Sequence, residues 1–175
     1  TRVRGGLEAM GYEADDLEVQ FVQFVTLYRS GERVQMGTRS GQFDTLRQLR
    51  EEVGTDAARF YYVMRSNDQH LDFDLDLAKE HSNENPVYYI QYAHARLSSI
   101  LRNAAQLRIE RGSLDPGLLT HPRESALLGA LGEFPRVVAT AAELGEPHRV
   151  ARYLEDTAAS FHKFYDDCSV LPYGD

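Results

Sequence analysis

Asn85 followed by Pro86 opens the feature that most constrains this chain, the run PVYYIQYAHARLSSILRNAAQLRIER, which stops at Gly112. Asn is a strong helix N-cap, Pro has its φ preset for the first helical position, and Gly suits the residue after a helix end. The run therefore predicts one helix over residues 86–111, about 40 Å long. Helices in water take most of their stability from packing an amphipathic face, so other elements must cover this one. Three further helical patterns do so: RESALLGALGEF, PRVVATAAELG and PHRVARYLEDTAASFHKFYDDCSVL, punctuated by Pro135, Gly145 and Pro147. The expectation is a mainly α chain organised as an antiparallel helical bundle.

Placed on a wheel at about 100° per residue, Val87, Ile90, His94, Leu97 and Leu101 of the long helix share one narrow arc. That arc is the expected core stripe, and His94 reads as a hydrogen-bonded core histidine rather than a catalyst. Tyr89, Tyr92 and Arg96 share a second arc and are expected to point away from the core. Two phenols beside a guanidinium suit unpaired RNA bases, which stack on rings and accept planar hydrogen bonds. The plainer alternative is that the tyrosines pack on a neighbouring helix while Arg96 forms a salt bridge.

The first part of the chain reads differently. Residues 17–29, LEVQFVQFVTLYR, have the β-branched and aromatic content of a strand; Ser30-Gly31 suits a tight turn, and residues 32–36, ERVQM, would return as the partner strand. MGTRSG from Met36 to Gly41 follows as an exposed loop. Thr45 with Gln48 three residues on makes a capping box for a helix ended by Gly54. A second short helix over Thr55 and Asp56 onward buries Ala57, Phe60, Tyr61 and Met64. Residues 71–78, LDFDLDLA, alternate with period 2; the expectation is nevertheless an extended entry at Leu71–Phe73 into a short helix capped by Asp74.

Charge and composition narrow the function. Twenty-seven acidic residues against 19 basic ones give a net charge of -8, which argues against a protein that coats nucleic acid through a basic surface. One cysteine, Cys168, excludes an internal disulfide framework and a four-cysteine zinc site. No run approaches the roughly 18 apolar residues of a membrane span, and the first residues lack the apolar core of a signal peptide, so the expected location is cytoplasmic. Asp72, Asp74 and Asp76 mimic the opening of a calcium loop, but Leu77 and Asn83 stand where such a loop needs Gly and a bidentate acid. Capping and solvation explain these carboxylates, and no metal site is expected. Nor do a nucleophile, base and orienting acid occur together, so no complete catalytic constellation is assigned.

Three segments read in order, FVTLYRSGERVQMGTRSGQFDTLRQLREEVGTDAARFYYVMRS, HLDFDLDLAKEHSNENPVYYIQYAHAR and YLEDTAASFHKFYDDC, resemble the C-terminal part of bacterial arginyl-tRNA synthetase. The resemblance covers most of the chain. It implies a class I synthetase that charges the arginine tRNA with arginine and ATP, with Mg as the ATP counter-ion. It also implies three parts: residues 1–45 as a β-hairpin remnant of the catalytic domain, residues 46–85 as connecting helices, and residues 86–175 as a DALR-type anticodon-binding bundle. Gln35, Met36, Gly37, Thr38 and Arg39, followed by Ser40, would occupy the KMSKS-type signature loop that closes over the ATP phosphates. Gly37 replaces the serine usual there and removes a hydroxyl donor. The anticodon loop would meet Tyr89, Gln91, Tyr92 and Arg96, with Tyr165 from the last helix.

The HIGH-type motif of class I synthetases does not occur in the chain, so the fragment alone is expected to be inactive and to hold no cofactor. The family usually continues past its Cys-x-Val segment into a further helix; the ending VLPYGD suggests that this part of the bundle is truncated or replaced. The competing function is a helical protein-interaction module that does not bind RNA.

Overall fold

A computed structural model describes residues 2–37, 43–110 and 112–171. In chain order these form α1 (Arg2–Ala9), β1 (Val25–Arg29), β2 (Glu32–Arg33), α2 (Leu46–Val53), α3 (Thr55–Val63), β3 (Leu71–Asp74), α4 (Pro86–Gln106), α5 (Pro122–Gly132), α6 (Phe134–Leu144) and α7 (His148–Asp167). The mainly α expectation holds, and the hairpin turns at Ser30 and Gly31, with φ of 53° and 73°, the mirror-image geometry that suits two-residue hairpins. None of the described helices is long and apolar enough to cross a membrane.

Both strands of the hairpin are shorter than residues 17–29 and 32–36 would suggest. β1 is instead the middle strand of a three-stranded sheet in the order β2-β1-β3. β3 lies parallel to it, pairing Val25 with Leu71 and Leu27 with Phe73. The period-2 pattern of residues 71–74 was thus a strand signal, and the expected helix after it contracts to a 3-10 turn over Leu77–Lys79. Asp74 caps that turn, its Oδ1 accepting from the backbone N–H of Asp76 and Leu77 at 2.9 and 3.1 Å. Asp76 in turn accepts from the Ser30 backbone N–H and pairs with Lys79. These carboxylates act as caps and clasps, as expected; among the described residues no group of His, Cys, Asp or Glu could hold a metal ion.

The first core packs β1, β3, α2 and α3 around Phe73 and Leu75, both fully buried; the Phe73 ring stacks on Tyr61 at 4.5 Å and 6°. The capping box at Thr45 is present, and Gly54 separates α2 from α3 at a φ of 86° that favours glycine. Arg29 on β1 reaches Glu52 on α2 at 2.7 Å, and Lys79 reaches the same carboxylate at 3.0 Å. Hydrogen bonds from Arg29 and then Lys79 hold Glu52 below the ordinary carboxylate range.

The second core lies in the bundle, where Ala93 of α4 meets Ala158 and Phe161 of α7, with Leu127 of α5 packed against them. α4 belongs to both cores, because Val87 in its first turn is buried in the first. Its C-terminus comes earlier than Gly112: Arg108 adopts a left-handed φ of 54°, and the Ile109 N–H reaches the Ala104 carbonyl at 2.9 Å. That is Schellman-type closure performed by a non-glycine residue, which composition does not signal.

Candidate functional site

Asn85 sets the start of α4. Its Oδ1 accepts from the Val87 N–H at 3.1 Å, and its Nδ2 donates to the carbonyls of Ala78 and Glu80 at 3.1 and 2.8 Å. The N-cap is thereby pinned to the 3-10 turn, which orients every side chain on the first three turns of the helix.

The stripe that the wheel selected is covered only at its start, at Val87 and Ile90. His94 is exposed, Leu97 is 46% exposed and Leu101 is 73% exposed, so the expected core stripe continues outward beyond Ile90. The buried seam runs through Ala93, flanked by Tyr89 and Ile100. Two alanines facing each other, Ala93 and Ala158, bring α4 and α7 close, and the tyrosine arc is drawn into that contact. Tyr89 therefore packs against the core rather than pointing away from it as expected, whereas Tyr92 stays exposed. Tyr89 lies partly buried with its ring 4.6 Å from that of His162, and Arg96 reaches Asp166 at 3.3 Å. The alternative of tyrosines packed on a neighbouring helix with Arg96 in a salt bridge describes this interior side of the site.

The exterior side is a guanidinium between two rings. Arg96 Cζ lies 4.6 Å from the centroid of Tyr92 and 4.6 Å from that of Tyr165, and each tyrosine remains 37% exposed. Tyr165 rests against Phe161 at 5.8 Å. Beneath the rings, His162 is buried and bridges the helices: Nε2 lies 3.3 Å from the Tyr89 carbonyl oxygen and Nδ1 3.4 Å from Arg96 Nη1. A proton on Nε2 satisfies both contacts, with Nε2 donating to the carbonyl and Nδ1 accepting from Arg96. Desolvation, then the Asp166 charge, raises the Tyr89 phenol above its ordinary value, so this ring stays neutral.

The ring system extends past Tyr92. Tyr88 stacks on Tyr92 at 5.9 Å and 7°, and His81 stacks on Tyr88 at 5.4 Å and 15°. Residues 88, 92 and 96 are one ridge at i, i+4 and i+8. That spacing was the available signal for Tyr88, which the choice of Tyr89 bypassed; nothing local in the sequence signals His81 or His162. Gln91 lies outside the ring cluster on an exposed flank, its Nε2 donating to Asp56 Oδ2 at 3.5 Å.

The signature-loop residues lie elsewhere. Met36 is 46% exposed and lines a cleft of about 660 Å³ with Phe24, Thr26 and His70, and Gly37 is partly buried. Thr38, Arg39 and Ser40 lie outside the described residues. His70 Nε2 approaches both Thr26 Oγ1 and Asp72 Oδ1, at 2.9 and 3.1 Å. Both contacts use one nitrogen, so the ring cannot relay a proton between them. Burial, then the nearby Glu124 and Asp167 charges, raises the Cys168 thiol, which keeps it out of the thiolate form.

Residues 90–174 match the family model described as the DALR anticodon binding domain. The arginine–tRNA ligase of Acidithiobacillus ferrooxidans is 55% identical over 97% of this chain, and that of Azoarcus sp. is 55% identical over 94%. The chain belongs to the arginyl-tRNA synthetase family. A crystal structure of an arginyl-tRNA synthetase homologue from Campylobacter jejuni superposes with a TM-score of 0.80, at 29% identity, over 98% of this chain and 37% of its own. The Thermus thermophilus arginyl-tRNA synthetase superposes at 0.57, with 33% identity, over 76% of this chain and 22% of its own. The chain spans 30% and 28% of the length of the two ligases. The stacked residues of α4, from Ile90 onward, and all of α7 fall inside the segment matched by the anticodon-binding family model.

Proposed function

We propose that this chain is the anticodon-reading part of an arginine–tRNA ligase, an enzyme of protein biosynthesis that uses ATP to attach arginine to its tRNA in the cytoplasm. The observation that carries the reading is the Tyr92–Arg96–Tyr165 stack, rigid beneath and open above, within the matched anticodon-binding segment. The exposed part of each ring offers an aromatic surface to an unstacked base, and the guanidinium fixed between them adds charge and planar donors. Tyr89 acts from behind by holding His162, and Gln91 meets the loop from the flank. Residues 35–40 serve as the signature loop that closes on the ATP phosphates. Residues 1–45, 46–85 and 86–175 are read as catalytic-domain tail, connecting helices and anticodon-binding bundle. Without a HIGH-type motif the chain alone activates no arginine.

Recognition by stacking also reconciles RNA binding with a charge of -8. The test is binding of the chain to the arginine tRNA and to a non-cognate tRNA across a salt series. The expected result is a cognate preference that survives as salt rises, with a shallow salt slope. Equal binding to both tRNAs that vanishes with salt, or no binding, would overturn the reading.

A further inference from the structure

His162 lies under the stack, 8% exposed, with its ring 4.6 Å from that of Tyr89 and 5.5 Å from that of Tyr92. We propose that neutral His162 is a positioning residue, which holds the Arg96 guanidinium in its RNA-facing place between Tyr92 and Tyr165, and that protonating His162 releases Arg96 and weakens RNA binding. The inference rests on the RNA-binding reading above.

The two partners of the imidazole allow one protonation state. A guanidinium has only donors, so Nδ1, which faces Arg96 Nη1 at 3.4 Å, has to accept. A carbonyl oxygen only accepts, so Nε2, 3.3 Å from that of Tyr89, has to carry the proton. The other tautomer would set one N–H against another and a lone pair against the carbonyl.

Protonation keeps the Nε2 contact and inverts the contact with Arg96. Nδ1 gains a hydrogen, and an imidazolium then stands 3.4 Å from a guanidinium nitrogen in a place where water screens the repulsion little. His162 is enclosed and cannot retreat. Arg96 can, because its side chain is 25% exposed and its partner Asp166 is 67% exposed, so the pair swings toward solvent together.

The groups around His162 do not offset that repulsion. From α4, Tyr89 and Tyr92 present rings and a carbonyl. On α7, Asp166 is paired with Arg96, and Asp167 with Arg123 of α5. Glu124 of α5 accepts from the His121 backbone N–H. Among the described residues no carboxylate is hydrogen-bonded to His162.

Two substitutions divide the imidazole into its halves. The Oδ1 of His162→Asn can stand where Nδ1 stands and accept from Arg96, but no nitrogen reaches the Tyr89 carbonyl. The Nε2 of His162→Gln reaches that carbonyl and leaves Arg96 without its acceptor.

NMR of the chain without RNA tests the coupling first. The His162 ring shifts and the Arg96 side-chain shifts, which the two tyrosine rings perturb, should move together with one midpoint as pH falls from about 8 to about 5. Arg96 shifts that stay constant while His162 titrates, or a His162 ring that stays neutral throughout, would overturn the release. Binding to the arginine tRNA anticodon stem–loop should weaken about fivefold or more over the same interval. His162→Asn should bind within about threefold of the unaltered chain and lose the acid dependence, whereas His162→Gln should bind about tenfold or more weakly at either pH.

Equal losses in the two variants that follow their thermal stability would show packing alone and overturn the positioning role, leaving the anticodon reading in place. Failure of the unaltered chain to bind the stem–loop at about pH 8 overturns the anticodon reading and with it the RNA role of His162.

Discussion

Arg96 shows how one side chain serves fold and function together. Its guanidinium is held by two rings, by Asp166 and by His162, so its geometry is set before any ligand arrives. Arg96→Ala is expected to weaken anticodon stem–loop binding by about 1–3 kcal/mol and to destabilise the fold by about 1 kcal/mol. Arg96→Lys keeps the charge but loses the planar stack, and should recover less than half of the binding; fluorescence anisotropy with thermal unfolding checks both.

Glu155 illustrates the opposite balance. Burial, then the neighbouring Asp156 charge, raises its carboxyl above the ordinary 4.5. A raised acid favours the folded state below about pH 4.5 and loses that contribution as pH climbs through its folded value. Glu155→Gln should therefore stabilise the chain at pH 7, by less than about 1 kcal/mol given its partial exposure. The gain should disappear near pH 4 in thermal unfolding scans.

Among the elements, α4 does the most because its ends answer to different neighbours. Asn85 ties its start to the 3-10 turn with two donated and one accepted hydrogen bond, while the side chain itself is 4% exposed. Asn85→Ala leaves the Ala78 and Glu80 carbonyls short of a donor and removes the cap, at an expected cost of about 2–3 kcal/mol. The same change should disturb the His81–Tyr88 step, visible as altered His81 ring shifts. This cap was legible in the sequence, since Asn-Pro ahead of an apolar run is local chemistry. The buried face of α4 was not. Leu97 and Leu101 looked like core because they are apolar, yet the close approach of Ala93 to Ala158 decides which side meets α7, and α7 lies more than 50 residues downstream. β3 has the same explanation: a four-residue alternating run becomes a strand because β1 offers it an edge.

At the scale of the whole molecule, the two cores share α4 and also meet where α3 touches α7. They are expected to unfold together. Phe73→Ala, at a fully buried ring stacked on Tyr61, should cost about 3–5 kcal/mol. Although Phe73 belongs to the sheet core, the near-ultraviolet signal of the α4–α7 tyrosines should fall at the same lowered denaturant concentration as the far-ultraviolet signal. Separate transitions would show that α4 does not couple the cores. The molecule also leaves apolar side chains in the open along residues 17–24, where Phe21 and Phe24 are 84% and 86% exposed. That run has the composition of a strand, but within the described residues β1 keeps only its last five positions, because pairing needs a neighbour as well as propensity.

Local signals were sufficient for the helices from α2 to α7, their N-caps at Thr45 and Asn85, the Ser30-Gly31 turn and the family resemblance of the LDFDLDLA and NENPVYYIQYAHAR segments. Each of these depends on residues within a few positions of one another, where covalent geometry and backbone hydrogen bonding act. Which face of α4 is buried, the parallel pairing of β1 with β3, the burial of His162 and the sandwich of Arg96 between Tyr92 and Tyr165 came only with the fold. Apart from the Tyr92–Arg96 contact within α4, those features join residues 46 (71 − 25) to 73 positions apart, and their energy comes from packing and ring contacts that exist only once the helices and strands have met.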